Sequence, residues 1–430
     1  MLLALLLPSP AHAVTLPDAW TAAERGGVET RLLAEQRTQA ETLRAQAWAL
    51  VQPKVVAGAT YTVNEYPIVL DFAASLPPEF ASFLGDVEPT VVNKERFAAW
   101  NVSVVQPLFS GQALPLLRGA YRTVDASREE LRGQGLALRT GIARAFYGTA
   151  VAREAQAVAE TAAANARTHA SLAATAVDAG SAPPSARLEA QLAVARAERE
   201  LLGAREGRVA AETAFARLTG LPADSPLELP ATRPLPWADA EAALRAAREN
   251  RPSLRAARLQ AQAARLQHVA SALDWLPTVD GRFTYNYTEN VGFAPDRDMW
   301  MVVLDAKWTA WDGGFRLATQ RKNASVARMA GLAEDRAAQD AEEQVRTLWE
   351  KHARAVAGVE AVIREIALAE QNLALAEAGF SAGSVTFLQL EDARLGLRAA
   401  RMAGLVQRMD RDVARLELLA ATGTDPLETP

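Results

Sequence analysis

The sequence predicts a mainly α-helical chain with a membrane-type β portion, laid out as two copies of one unit of long helical hairpins and β-hairpins. Three observations lead there. Segments recur at fixed shifts along the 430 residues. Long runs of strong helix formers pass without proline. Four segments alternate apolar and polar side chains.

The repeat sets the layout, because a missed repeat misassigns the whole fold. Leu244 to Pro277 reads like Trp20 to Pro53 at a constant shift of 224 residues. An alanine-rich run ends in Trp48-Ala49-Leu50-Val51-Gln52-Pro53 in one copy and in Asp274-Trp275-Leu276-Pro277 in the other. Tyr61 and Tyr285 keep that shift. Later it becomes 203: Ala179-Gly180-Ser181 answers Ala382-Gly383-Ser384, and Leu218-Thr219-Gly220 answers Ala421-Thr422-Gly423. The change of 21 lies between Tyr66 and Phe97, where the first copy has an extra segment with Pro77-Pro78 and Pro89. The expected layout is a signal peptide over 1–13, a first repeat over 14–225, a linker over 226–236, a second repeat over 237–424 and a tail over 425–430. Each repeat reads helix, strand, loop, strand, long helix, turn, helix. The strands are expected at 54–66 and 97–108, then at 278–291 and 299–311.

The N-terminal segment is apolar from Met1 to Leu7 and then reads Pro8-Ser9-Pro10-Ala11-His12-Ala13. Small residues at −3 and −1 suit signal peptidase, so export with cleavage after Ala13 is expected. The segment is short and lacks a basic n-region, as if the start lay inside a longer signal.

The long helices follow. Arg139 to Ala179 holds no proline, and a helix from about Leu116 to Asp178 would run ~95 Å at ~1.5 Å per residue. Such a helix cannot bury itself in a compact domain; it must lie against other long helices of this chain or of its copies. Leu348, His352, Val356, Val359, Ile363 and Ile366, spaced by three or four, and Leu373 seven further on form a heptad-like seam. Gly180 and Gly383 stand where a left-handed C-cap is wanted, and Pro183-Pro184 restarts the chain as a helix. Two antiparallel helical hairpins with short tips result.

In the strands, Val55, Ala57, Ala59, Tyr61 and Val63 oppose Val56, Gly58, Thr60, Thr62 and Asn64. Ala98, Trp100, Val102 and Val104 oppose Asn101 and Ser103. Val279, Phe283, Tyr285 and Tyr287 oppose Asp280, Arg282, Thr284, Asn286 and Thr288. Trp300, Val302, Leu304, Ala306 and Trp308 oppose Asp305, Lys307 and Thr309. Each segment has about the 9–11 residues a membrane β-strand needs. A half-buried sheet in water gives the same alternation. Four strands cannot close a barrel, and lipid does not tolerate an open edge. If these strands span a membrane, several chains must combine.

Composition bounds the rest. The chain has no cysteine, so disulfides, cysteine-ligated metal sites and a diacyl anchor on an N-terminal cysteine are not expected. His12, His169, His268 and His352 are far apart, which argues against a histidine-rich metal centre. Forty-six basic against 51 acidic residues, a net charge of −5, is not the balance of a nucleic-acid binder. No run of ~18 apolar residues exists, which excludes a helical membrane span but not a β-barrel.

At this point the chain resembles the outer-membrane efflux protein (TolC) family over nearly all of its mature length. The resemblance rests on the twofold repeat and on Pro53 and Pro277 before the strands. It rests also on Gln106-Pro107-Leu108-Phe109-Ser110-Gly111 and Thr309-Ala310-Trp311-Asp312-Gly313-Gly314, which look like the family's strand-to-helix junctions. The last carrier is the pair of glycine turns followed by Leu188-Glu189-Ala190 and Glu391-Asp392-Ala393. The resemblance implies a homotrimer in which each chain gives four strands to a twelve-stranded barrel in outer-membrane lipid. The helices form a periplasmic α-barrel. It further implies a passive exit duct for an inner-membrane transporter, joined through a periplasmic adaptor (membrane fusion) protein, in efflux or type I secretion. No catalytic residue, cofactor or metal is expected. The alternative from another class is a soluble periplasmic coiled-coil scaffold or adaptor, extractable without detergent.

The candidate sites follow. Ala179, Gly180, Ser181, Ala382, Gly383 and Ser384 sit at the hairpin tips, where the family meets its adaptor; helix capping alone would also want them. Asp392 matches an acidic position that rings the family's periplasmic entrance, with Glu391 and Gln389 beside it. Gln389 falls where a second acid is often found, and a solvated helix face explains all three equally well. Three copies of an acid around a narrow pore would attract cations. Asp280, Arg282, Asp305 and Lys307 are expected in the barrel lumen, and Trp100, Trp300 and Trp308 in the membrane-interface belt. Gly379-Phe380-Ser381-Ala382-Gly383 fits the G-x-S-x-G elbow, but that elbow needs a strand before it and a histidine later. A long helix precedes it and no histidine follows Ser381.

Overall fold

The computed structural model describes residues 13–71, 89–181, 183–231, 233–382 and 384–426. The expected signal peptide apart from Ala13, the Pro77-Pro78 stretch, Gly383 and the last four residues of the expected tail lie outside the described residues.

Helices come in matched pairs. α1 (Leu16–Gly26) and α5 (Ala240–Asn250) have 11 residues each. α2 (Val28–Trp48) has 21 and α6 (Pro252–Leu273) has 22. α3 (Ala113–Asp178) has 66 and α7 (Phe315–Ser381) has 67. α4 (Pro184–Thr219) and α8 (Phe387–Thr422) have 36 each. Lengths that agree this closely at every step mean that both copies keep one architecture. α3 starts earlier than Leu116 because Pro115 fits inside a first turn, where its missing N–H is not needed. Among the described residues no helix is long and apolar enough to cross a membrane.

Contacts divide the chain into two units that cut across the repeat. One takes Glu41–Asp125 and Leu259–Leu332; the other takes Met1–Ala40, Ala126–Arg258 and Ala333–Pro430. The physical reason is the length of the helices. A 66-residue helix of ~100 Å passes through more than one packed region.

The helical unit is built on a core of Leu16, Trp20, Ile142, Phe146, Tyr147, Phe215, Leu416 and Leu419. The Phe146 ring meets Tyr147 and Phe215 edge-on, a favoured aromatic geometry. A second cluster sets Leu244 and Ala247 of α5 against Val345 of α7 and Leu418 of α8. Trp20 donates its indole N–H to the Arg139 carbonyl at 2.9 Å, so the one polar atom of a buried ring is satisfied. The end of the first repeat, just before the linker, is held by Arg153, which pairs with Glu212 at 2.8 Å and donates to the carbonyls of Ala223 and Ser225. Val14 pairs in parallel with Leu227, so the chain before α1 adds to the linker.

On the expected seam of α7, Val359 is buried, but Ile363 is 53% exposed while Val362 is buried in its place. The helical period of 3.6 carries the contact stripe past a strict heptad position. Ile363, Leu368 and Leu375 of α7 and Leu188, Leu192 and Leu202 of α4 are left facing outward in the single chain.

The other unit carries the sheet. β1 (Lys54–Val63), β4 (Arg96–Phe109), β5 (Thr278–Thr288) and β6 (Asp298–Lys307) form one antiparallel sheet in the order β1-β4-β5-β6. β2 (Ile68–Leu70) and β3 (Thr90–Asn93) form a separate two-stranded pair within the extra segment. The sequence reading had no strand there. Three strands end before their expected limits. β1 stops at Val63, because Asn64 turns the chain, its N–H on the Glu95 carbonyl and its amide on that of Lys94. β5 stops at Thr288, whose hydroxyl accepts from the N–H of Asn290. β6 stops at Lys307. β4 runs one residue past 108, with a register shift between Pro107 and Phe109, where proline cannot donate to the ladder.

Candidate functional site

Directly opposed residues of an antiparallel pair project to one face. Two rows cross all four strands with apolar side chains. These are Val55–Val104–Phe283–Val302 and Ala57–Val102–Tyr285–Trp300. The next row, Ala59–Trp100–Tyr287–Asp298, ends on an acid that accepts from the Tyr285 hydroxyl at 3.3 Å. The alternate rows, Gly58–Asn101–Asn286–Met299 and Val56–Ser103–Thr284–Met301, are polar on β4 and β5. The sheet therefore has one coherent apolar face. β6 departs from the expected alternation: Met299, Met301 and Val303 make its second face apolar too, down to Asp305. Every residue of β6 is exposed, and all but one of β1; at the two ends of the strand order, neither has a partner along its outer side among the described residues.

Trp100 stacks on Tyr287 at 5.7 Å and lies 5.4 Å from Tyr285, within the apolar face. Trp300 is on the same face, opposite Tyr285 and 66% exposed. Trp308 lies just beyond β6 rather than in it and donates its indole N–H to the Trp275 carbonyl at 3.0 Å. On the other face Asp280 stands opposite Asp305, Arg282 opposite Val303, and Lys307 opposite Thr278. The register brings these four charges together on one face, near the helix end of the sheet.

The strand-to-helix junctions are built differently in the two copies. In the first, Gln106 donates to the Val51 carbonyl at 3.0 Å. In the second, Arg316 is 7% exposed, pairs with Asp312 at 2.9 Å and donates to the carbonyls of Asp274 and Thr309. Its guanidinium also lies 4.4 Å from the Trp275 ring centre. Arginine held by hydrogen bonds accounts for the pull of Asp312 below the usual carboxylate range, against the opposing effect of desolvation. Sequence reasoning passed over Arg316; its signal was an acid and a base four apart at a helix start.

At the first tip Gly180 is left-handed (φ 72°), and the Ser181 N–H and hydroxyl both reach the Ala176 carbonyl at 2.9 Å. At the second tip Ala382 bonds back to Ala378, and the Ser384 N–H bonds the Gly379 carbonyl at 2.9 Å. α8 opens with a capping box: the Thr386 hydroxyl accepts from the Gln389 N–H, and the Gln389 side chain accepts from the Thr386 N–H at 2.9 Å. Gln389 is thus a helix-capping residue. Glu391 is paired with Arg394 at 2.7 Å. Asp392 is exposed, with no hydrogen bond or ion pair among the described residues. Ser381 is the last residue of α7 and donates to the Ala378 carbonyl at 2.8 Å, so no strand-turn-helix elbow presents it. Among the described residues no group of three or more His, Asp or Glu is arranged to hold a metal ion.

The comparisons agree with this architecture. The sequence profile described as Outer membrane efflux protein matches residues 94–221 and 243–424, one segment in each copy. No curated protein sequence matches. Among solved structures, the chain is similar to the outer membrane protein VceC of Vibrio cholerae, at 18% identity over 95% of this chain and 96% of that one, with a TM-score of 0.72. It is similar to the CmeC outer membrane channel of Campylobacter jejuni, at 11% identity over 95% and 85%, with a TM-score of 0.76. The Neisseria gonorrhoeae MtrE outer membrane channel matches at 17% identity over 95% and 89%, with a TM-score of 0.72. Identities this low speak for the fold alone, whereas the profile covers most of both copies and carries the assignment: the chain belongs to the outer membrane efflux protein family.

Proposed function

We propose that three copies of this chain form a passive exit duct through the outer membrane, joined by a periplasmic adaptor to an inner-membrane transporter. The observation that carries the reading is the four-stranded sheet with one apolar face and two edges unpartnered among the described residues. An open edge is not tolerated in lipid. Strand directions alternate across the sheet, so β6 of one copy can add to β1 of the next without breaking the antiparallel pattern. Three copies give twelve strands and no edge. The apolar rows then face lipid, and Asp280, Arg282, Asp305 and Lys307 face the lumen. Trp100 and Trp300 mark one interface, and Trp308, eight residues along from Trp300, the other. Eight residues of strand span ~27 Å, close to the ~25 Å apolar band of such barrels. The outward apolar series of α4 and α7 pack against neighbouring copies in the same assembly. The hairpin tips at Ala179-Gly180-Ser181 and at Ala382, Gly383 and Ser384 receive the adaptor. The test is the mass of the detergent-purified protein by light scattering. A trimer that falls to monomers on boiling supports the duct; a monomer extracted without detergent overturns it.

Asp392 lines the entrance constriction in this reading. Its neighbours are committed elsewhere, Gln389 to the helix cap and Glu391 to Arg394, which leaves one unpaired acid per copy. Asp392→Ala trimers in planar bilayers are expected to lose cation selectivity and block by multivalent cations. Unchanged selectivity would place the gate elsewhere.

A further inference from the structure

The chain carries a net charge of −5, but the charge is unevenly spread. The unit that carries the sheet has four helical stretches next to the strands: 41–48 of α2, 113–125 of α3, 259–273 of α6 and 315–332 of α7. They hold seven exposed cations against two acids, Glu41 and Asp125. Four of the cations, Arg44, Arg118, Arg122 and Arg265, line one groove of about 640 Å³. Arg44 lies 4.6 Å from the Tyr121 ring centre, and a Cβ on Gly119 would stand 3.6 Å from the Ala263 carbonyl oxygen, so α3 lies between α2 and α6. The groove therefore opens on a face of these three helices. Asp125 is the one acid that lines it, 3.9 Å from Arg122. Arg118 of the groove, and Arg321, Lys322 and Arg328 of α7, make no hydrogen bond or ion pair among the described residues. At ~1.5 Å per residue, Arg44, Arg118, Arg321 and Lys322 lie ~6–11 Å from the ends of their helices at the sheet. Arg122, Arg265 and Arg328 lie ~12–20 Å from them. Where these helices meet the strands stand four of the nine tryptophans, Trp48, Trp275, Trp308 and Trp311, all exposed. Apolar strand, then amphipathic rings, then charge is the order in which a chain leaves a bilayer.

We propose that these helix ends form a collar that binds anionic phospholipid headgroups of the leaflet on the helix side of the membrane. The inference rests on the duct reading, which puts the sheet in lipid. A guanidinium suits a phosphate because its fork can bond two oxygens at once, and cations with no carboxylate beside them keep that capacity. Basic groups next to a membrane attract anionic lipid over about a Debye length, and salt screens the attraction. The collar fixes how deep the sheet sits. Sinking further would draw the cations into hydrocarbon, and rising would lift the tryptophans out of the interface.

The experiment uses the full chain in its purified oligomeric state, reconstituted in phosphatidylcholine bilayers. A fixed share of the lipid is either brominated phosphatidylcholine or brominated phosphatidylglycerol, and bromine quenches the tryptophans that touch it. Quenching by brominated phosphatidylcholine reports whether the sheet is in lipid at all. Its absence with both lipids overturns the duct reading and the collar with it. At low salt phosphatidylglycerol is expected to be preferred at least about fivefold, as roughly one cation beside a charged surface provides. Salt at ~1 M should remove most of that preference, a readout that needs no substitution. Arg118→Gln with Lys322→Gln should cut the preference at least about twofold and leave quenching by phosphatidylcholine unchanged. Arg336→Gln with Arg354→Gln, exposed cations of α7 outside the collar, should change neither. Equal quenching by the two lipids at low salt, or a preference that the collar substitutions leave intact, overturns the collar alone. Cations that line the lumen instead would give that equality, together with altered ion selectivity in the Arg118→Gln, Lys322→Gln channel.

Discussion

At the first strand-to-helix junction the Val51 carbonyl is bonded by the Gln106 amide; at the second, the Trp275 carbonyl is bonded by the Trp308 indole. Val51 and Trp275 are equivalent residues, 224 apart, but their donors are not equivalent. The second junction also carries Arg316, whose counterpart at the 203-residue shift is Ala113. What both copies keep is a satisfied carbonyl where the helix passes into a strand. An orphan carbonyl there costs free energy whichever residue neglects it. The backbone has been held while the side chains that serve it have changed.

The helix ends near the cores test this difference most severely. Gly220 and Gly423 close α4 and α8 with the same left-handed backbone, φ 72° and 75°. A Cβ on Gly220 meets nothing within 4 Å, whereas one on Gly423 lies 2.2 Å from the Asn250 carbonyl oxygen. Gly220→Ala should lose the left-handed strain alone, about 1–2 kcal/mol. Gly423→Ala should also force the chain off Asn250 and off Arg132, which donates to the Gly423 carbonyl, for a loss of about 3–5 kcal/mol. Thermal melting followed by circular dichroism orders the two. Equal losses would mean that the close approach at Gly423 gives way freely.

The junctions come next. Arg316→Met removes bonds to two carbonyls and the stack on Trp275, a loss of about 2–4 kcal/mol before the ion pair is considered. Gln106→Leu removes the bond to Val51 and should lose about 1 kcal/mol. The same melting experiment separates them, and an Arg316 variant as mild as the Gln106 one would show that Trp308 holds the second junction by itself.

The tips give a smaller, local effect. Pro183 opens α4 with no side-chain cap, whereas Thr386 and Gln389 cap α8 reciprocally. Thr386→Ala should loosen the first turn of α8 by about 1 kcal/mol. Gln389→Ala should loosen it by less. Hydrogen exchange in that turn is the suitable measure, because fraying at a helix end does not reach the global melt. A Gln389→Ala channel with altered ion selectivity and unchanged exchange would return that residue to the entrance ring.

Much of this was legible in the sequence because period and proline placement act locally. The alternation from Val55 to Val63 and from Phe283 to Tyr287 marked the apolar face before any pairing was known. The box Thr386-Phe387-Leu388-Gln389 was also there to be read, but the resemblance drew attention to Gln389 as an entrance position instead. The β2–β3 pair was not legible. It is short and irregular, with a register shift after Ile68, and rests on pairing across the extra segment. Nor were the acceptors of Arg316, since a carbonyl 42 residues away leaves no trace in local spacing. The bond from the Tyr147 hydroxyl to Asp412 likewise depends on which helices meet.

The weakest expected effect contrasts Thr149 with His352, again 203 residues apart. Thr149 is fully buried and donates its hydroxyl to carbonyls of its own helix and of α4, with nothing to titrate. His352 is half-buried, and its pKa is pushed below 6.5, by burial first and then by the charges of Arg415 and Arg411, with Asp412 opposing. A histidine depressed in the folded state binds its proton more readily when unfolded. Its contribution is therefore fully present above the unfolded value and is lost as pH falls through the folded one. Melting temperatures compared between pH 8 and pH 5.5 should fall more steeply for the unmodified chain than for His352→Gln. Thr149→Ala should lower both ends of that range equally. A His352→Gln slope identical to the unmodified one would mean that the arginines, in solution, stand far enough from the imidazole to leave it ordinary.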